Sequence, residues 1–235
     1  QTIEKIAMES LVQQKASRRW SVFFKSVSLI YLGWVLFFVL SSSNSSTIAS
    51  GDFTALITLN GEIGVDSEVS AINVKSSLKE VYENPGTKAL ILSINSPGGS
   101  PVQSGIINDE INRYKALHPK IPIYAVIEDI CASGGYYIAV AADKIFVDKA
   151  SIVGSIGVLM NGFGFDKAIN NLGIERRLIT SGENKAILDP FLPIQPKQKE
   201  FMQNLLKEVH SQFIEVVKKG RGNKLSLNPE IFSGL

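Results

Sequence analysis

From residue 53 onward, hydrophobic positions alternate between strand-like runs and helix-like spacing. Apolar runs of strand length occur at 53–59, 88–95, 121–127, 144–147 and 175–180. Apolar residues recur at helical spacing over 66–82, 101–117, 136–142, 166–172 and 195–219. Strands separated by helices in this way predict βαβ units, and therefore an α/β domain built around a largely parallel sheet.

A different hydrophobic pattern precedes this domain. Residues 26–51 carry no charge, and residues 29–40 are almost entirely apolar. With its flanks this stretch reaches the roughly 17–20 residues that a membrane-spanning helix needs. Basic residues precede it, and the segment that follows is rich in serine and uncharged. Because positive charge favours the cytoplasmic side, the pattern predicts a cytoplasmic N-terminus and a domain outside.

The chain is therefore expected to have four parts. These are a cytoplasmic segment (1–25), a transmembrane anchor (26–43), a flexible stalk (44–52) and a folded domain (53–235). A cleaved signal peptide is the alternative, since the most apolar part is short enough. The long polar segment before the apolar stretch and the lack of a clear Ala-x-Ala cleavage site favour the anchor. Aromatic residues around the whole circumference argue against a buried soluble helix.

Composition excludes several kinds of site. The net charge of +2, with acids and bases interleaved, gives no reason to expect nucleic acid as a partner. A single cysteine, Cys131, excludes an internal disulfide and a cysteine-based zinc site, and two histidines leave little for a metal. No phosphate-binding glycine fingerprint is present, so we predict neither a metal nor a nucleotide cofactor.

Glycine-containing loops follow three predicted strands, at 95–99, 132–135 and 153–157. The carboxyl ends of parallel strands gather at one edge of a sheet, so these loops are expected to lie close together. Ser133 falls where a strand turns into a helix, which suits an exposed nucleophilic hydroxyl. The amides of the Pro97-Gly98-Gly99 loop and of Gly134 are candidates for an oxyanion hole.

The base that would serve Ser133 is less evident. His118 and His210 lie outside any glycine-rich or turn context, so a Ser-His-Asp triad is poorly supported. A lysine can act instead if burial keeps it neutral. Lys185 follows a predicted strand and precedes apolar residues, but its context alone gives it little preference over neighbouring lysines. Glu183 nearby would oppose neutrality if it faced the amine.

Five motifs together resemble the S49 family of serine peptidases, in its short form with one catalytic domain. They are Asn-Ser-Pro-Gly-Gly (95–99), Ala-Ser-Gly-Gly-Tyr-Tyr-Ile-Ala (132–139), Ala-Asp-Lys-Ile (142–145), Gly-Ser-Ile-Gly-Val (154–158) and Ser-Gly-x-x-Lys (181–185). The resemblance implies a ClpP/crotonase-like core with Ser133 as nucleophile and Lys185 as base. It also implies an oxyanion amide from Gly99, beside that of Gly134, and a lysine-orienting hydroxyl from Ser155.

By the same resemblance, the expected protein is a membrane-anchored Ser-Lys endopeptidase acting on cleaved signal peptides and other hydrophobic peptides. Its expected location is the bacterial inner membrane, with the domain on the periplasmic side, as a homo-oligomer. The family continues beyond Phe-Ser-Gly (232–234), so the last strand and helix are expected to be missing here. Two alternatives stay open: an acyl-CoA enzyme of the crotonase type and a non-catalytic membrane scaffold.

Overall fold

The computed structural model describes Arg18 and residues 20–38 and 51–235, and it divides the chain into two units, 1–49 and 50–235. The first unit contains helix α1, Trp20–Phe38, which is long and apolar enough to cross a membrane. Three aromatic residues, Trp20, Phe23 and Phe24, lie in this helix before the predicted start of the anchor at Ser26. The rest of the predicted anchor, 39–43, and the stalk up to residue 50 lie outside the described residues.

The second unit is an α/β domain, as predicted. Its strands are β1 (Phe53–Asn60), β2 (Thr87–Ser96), β3 (Ile123–Ala132), β4 (Lys144–Phe146) and β5 (Ile152–Gly154). Its helices are α2 (Ala71–Glu83), α3 (Pro101–Leu117), α4 (Gly134–Ala139), α5 (Asp166–Asn171) and α6 (Pro196–Arg221), followed by short 3₁₀ turns at Gly222–Lys224 and Pro229–Phe232. All strand pairs are parallel.

The sheet has the order β1-β2-β3-β4, and β5 pairs with the far end of β3. Strand β2 lies at the centre, and Leu90, Leu92 and Ile94 on one of its faces are fully buried. Helices α2 and α3 cover that face with buried apolar side chains such as Leu78 and Ile107. This core fixes the carboxyl edge of the sheet, where the glycine loops emerge.

Serine caps set where the two covering helices begin. The Ser70 side chain accepts a hydrogen bond from the Asn73 amide, so α2 starts at Ala71, later than the predicted residue 66. Ser100 caps α3 in the same way, with Pro101 at the first helical position. Helix α3 therefore spans the predicted 101–117.

Two strand predictions differ from the structure. Residues 175–180 form no strand, since no other strand of the described chain lies beside them, and Ile179 is 97% exposed. Strand β3 runs past the predicted end at residue 127, through Glu128 and Asp129, because its final residues pair with β5. Strand β5 itself was not predicted, since three residues are too few to show a periodicity.

Candidate active site

Ser133 is the single residue between the end of β3 and the start of α4. Its backbone angles are φ 51° and ψ −119°, a conformation that residues with a side chain rarely adopt. The Ser133 amide donates to the Gly154 carbonyl (2.8 Å), and its carbonyl accepts from the Tyr137 amide (2.9 Å). The hydroxyl does not cap α4. Strain of this kind persists where the surroundings enforce it, often at functional sites.

The Pro97-Gly98-Gly99 loop lies directly against this turn. A Cβ atom on Gly98 would come within 2.7 Å of the Ser133 Cβ and 2.8 Å of the Ala132 carbonyl oxygen, so only glycine fits. A side chain on Gly99 would collide with the carbonyl of Ile63. The Gly99 nitrogen lies 3.3 Å from the ideal Cβ position of Gly134. The backbone amides of the two predicted oxyanion residues are thus neighbours.

A cavity of about 600 Å³ opens beside Ser133. Gly99, Ser133, Gly134 and Ser155 all line it, although they come from three separate loops. The rest of the lining is largely apolar or neutral and includes Tyr137, Val158, Leu159, Val209 and Phe213. This volume lies in the range that is usual for ligand sites. Four of the five site residues predicted from sequence therefore share one cavity.

Ser155 reaches the cavity from the loop after β5. Its φ of 51° again lies in the left-handed region. Its amide donates to the Leu235 carbonyl (3.0 Å), and its own carbonyl accepts from the Gly157 amide (2.9 Å). These bonds hold the loop on the side of the cavity opposite the Pro97-Gly98-Gly99 loop, with Ser133 between them.

Lys185 lies elsewhere in the single chain. Its side chain is exposed, and it is not among the residues that line the cavity. It sits in a turn where its amide donates to the Gly182 carbonyl (3.2 Å). In the same segment, Arg176 forms an ion pair with Asp189 (3.0 Å). The hydrogen bond from the Phe191 amide, and after it that from Arg176, lowers the pKa of the Asp189 carboxyl.

The other candidate groups of the sequence do not form a catalytic set with Ser133. Cys131 is fully buried, and burial raises the pKa of its thiol to about 12, so it stays a protonated packing residue. The His118 ring packs against Tyr82, with ring centroids 4.9 Å apart, at the end of α3. It does not line the cavity.

His210 has a role that sequence reasoning missed. From helix α6, its Nε2 lies 2.9 Å from the carbonyl oxygen of Ile156. Because a carbonyl can only accept, Nε2 must carry the proton. Ile156 is the residue after Ser155 and is buried, so His210 ties α6 to the loop that forms one wall of the cavity.

For the peptide hydrolysis that the sequence motifs lead us to expect, His210→Ala should lower kcat/KM about three- to tenfold, because a neutral hydrogen bond contributes about 1 kcal/mol and this one holds the loop that carries Ser155. His210→Gln, whose side-chain amide can still donate, should retain most of the activity. Steady-state kinetics on both variants measures this. Equal losses in the two variants would contradict a role for the hydrogen bond.

Comparison with known proteins points to one peptidase family. Residues 115–229 match the model of peptidase family S49. A putative signal peptide peptidase SppA of Enterococcus faecium is 32% identical over 162 residues, covering 69% of this chain and 46% of that protein. Protease 4 of Haemophilus influenzae is 30% identical over 172 residues, covering 71% of this chain and 27% of that protein.

A third relative is named differently. The Na(+)/H(+) antiporter NhaA of Brucella melitensis is 42% identical over 177 residues, covering 75% of this chain but 24% of that protein. The chain spans about half the length of these curated relatives or less, so the antiporter name describes a much longer protein. The family match and the peptidase relatives show that this chain belongs to peptidase family S49, the family that its motifs predicted.

Proposed function

We propose that the protein is a membrane-anchored serine endopeptidase that uses Ser133 as nucleophile and Lys185 as base. The observation that carries this proposal is the position of Ser133, on a strained turn that faces a cavity lined by the predicted oxyanion glycines. The family membership and the printed names of the peptidase relatives support the same reaction.

In the proposed mechanism, the Ser133 oxygen attacks the carbonyl carbon of a peptide bond while neutral Lys185 takes its proton. The amides of Gly99 and Gly134 stabilise the oxyanion that forms. The carbon–nitrogen bond then breaks, and Lys185 gives its proton to the leaving amine. Water, deprotonated by Lys185, hydrolyses the acyl-enzyme and releases Ser133. The Ser155 hydroxyl orients the lysine amine.

This mechanism requires the Lys185 amine to lie beside a Ser133 hydroxyl. We propose that association of several copies of this chain brings the two groups together. The segment that carries Lys185 exposes many large apolar side chains, including Leu159, Phe163, Leu172 and Ile179. Extended exposed apolar surface of this kind marks protein interaction sites. We propose that copies of this chain associate through it and thereby bury the lysine. No nucleic acid is proposed as a partner.

The proposed substrates are hydrophobic peptides close to the membrane, including cleaved signal peptides. The apolar side chains around the cavity, such as Val158 and Phe213, favour apolar peptide side chains. The name of the Enterococcus relative points to the same substrates. The proposed location is the bacterial inner membrane, with the N-terminus in the cytoplasm and the domain on the periplasmic side.

Helix α1 supports the anchor. Trp20 stacks on Phe24 near its start (ring centroids 5.7 Å apart), and Trp34 stacks on Phe38 near its end (5.9 Å). Aromatic residues at both ends of an apolar helix are typical of the two membrane interfaces.

We expect the chain to remain in the membrane fraction after alkaline carbonate extraction, and Leu32→Arg to release a large part of it. An arginine at the centre of a membrane helix costs about 2.5–3.5 kcal/mol on insertion scales. Leu117→Arg, at an exposed position in the folded domain, is the matched control and should change nothing. Full extraction of the unmodified chain would contradict the anchor.

The proposed activity is tested by a fluorophosphonate probe together with hydrolysis of a hydrophobic peptide library. We expect one covalent adduct, located at Ser133 by peptide mass spectrometry, and cleavage that the probe abolishes. A crotonase-type enzyme would need no nucleophilic serine. Turnover of an acyl-CoA substrate, without a probe adduct at Ser133, would therefore favour that alternative. Absence of both activities would favour the scaffold.

A further inference from the structure

One side chain distinguishes the cavity beside Ser133 from a purely apolar peptide site. Glu62 lies on its rim, and it is the one acidic or basic side chain among the described residues that line it. Pro97, Gly99 and Pro101 also line the cavity. The residue after Glu62, Ile63, forms backbone hydrogen bonds with Gly98 and Ser100, so Glu62 is next to the loop that carries a proposed oxyanion amide.

The backbone around Glu62 is held firmly. The Gly61 amide donates to the Asn95 carbonyl (2.9 Å), the Ile63 amide donates to the Gly98 carbonyl (2.9 Å), and the Ser100 amide donates to the Ile63 carbonyl (2.8 Å). Ile63 is 1% exposed and points into the core. Glu62, the residue before it, is exposed and lines the cavity.

Within the part of the chain that the structure describes, Glu62 belongs to no ion pair, and the pairs found there involve other carboxylates. Apolar walls and a partly enclosed opening strengthen an electrostatic interaction relative to open solvent. A cationic group entering the cavity would thus be attracted by the Glu62 carboxylate, whereas an acidic group would be repelled.

We propose that Glu62 makes this cavity select peptides that carry a lysine or arginine side chain close to the cleaved bond. This inference rests on the proposed peptidase function and adds a specificity to it. The substrate class is an apolar peptide with one basic residue, since the remaining lining is largely apolar or neutral. The net charge of the whole chain, +2, would favour acidic peptides instead, so a preference for basic ones must arise locally.

The test measures binding separately from hydrolysis. Fluorescent apolar peptides that differ by Lys, Gln or Glu at one position are titrated against the full chain carrying Ser133→Ala, with Glu62 intact or replaced in Glu62→Gln. Glu68→Gln is the matched control, because Glu68 is exposed on the same connection and does not line the cavity. The same peptides are then used as substrates with Ser133 present.

We expect the Lys peptide to bind about three- to tenfold more tightly than the Gln peptide, because an ion pair that stays partly exposed to solvent has an effect of about this size. The ratio should fall to about one in Glu62→Gln, stay unchanged in Glu68→Gln, and shrink at high salt. Equal binding of the Lys and Gln peptides, or a preference that survives Glu62→Gln, would overturn the inference.

The two proposals fail in different ways. If the Lys preference appears in binding but no peptide is cleaved and no adduct forms at Ser133, the specificity of the cavity stands and the peptidase function fails. If peptides are cleaved without any dependence on Glu62, the peptidase function stands and the specificity fails.

Discussion

Ser133→Ala is expected to reduce kcat/KM for peptide hydrolysis by at least about a thousandfold, the loss typical when a catalytic nucleophile is removed. Without the Ser133 oxygen no acyl-enzyme can form, and the amides of Gly99 and Gly134 alone cannot replace it. Hydrolysis of a fluorogenic peptide and labelling by the fluorophosphonate probe should both vanish.

Stability separates this result from unfolding. Ser133 makes its turn through backbone hydrogen bonds to Gly154 and Tyr137, which alanine retains, so the free energy of unfolding should change little. Ser133→Gly relieves the positive φ of 51° and should be at least as stable as the unmodified protein, while equally inactive. Residual hydrolysis in Ser133→Gly that the probe still blocks would place the nucleophile elsewhere.

An element of the fold could be predicted where its own residues show a clear apolar spacing or a capping residue, and not where it depends on a neighbouring strand. Helix α3 shows apolar spacing over its full length, begins with Ser100 and Pro101, and spans the predicted residues. Strand β5 has three residues and owes its existence to β3 beside it. Residues 175–180 have strand-like composition but no neighbouring strand, which composition cannot reveal.

The same distinction holds within the site. Gly98 and Gly99 are recognisable because close packing at the strand end excludes side chains. Ser133 is recognisable because it stands at a strand-to-helix turn whose positive φ favours glycine. The contact of His210 with Ile156 joins positions 54 residues apart and leaves no local pattern. The Ser-Gly-x-x-Lys motif predicts Lys185 as the base, but a local motif cannot predict where a side chain lies relative to Ser133, and in the single chain that of Lys185 is exposed.

Lys185→Ala is expected to lower kcat/KM about as far as Ser133→Ala, because the Ser133 hydroxyl is a weak nucleophile without a base to take its proton. Lys185→Arg should be equally inactive, since arginine does not deprotonate in proteins. Lys167→Ala, which removes another lysine from the same exposed region, is the matched control and should keep its activity. Activity close to normal in Lys185→Ala would contradict the dyad.

The exposed position of Lys185 makes a mixing experiment informative. Ser133→Ala and Lys185→Ala chains are each expected to be inactive, and they are coexpressed so that mixed assemblies form. If the lysine of one copy serves the serine of another, mixed assemblies regain a substantial fraction of the activity, because some of their sites combine an intact Ser133 with an intact Lys185. If Lys185 instead serves the Ser133 of its own chain, every site lacks one of the two groups and no activity returns.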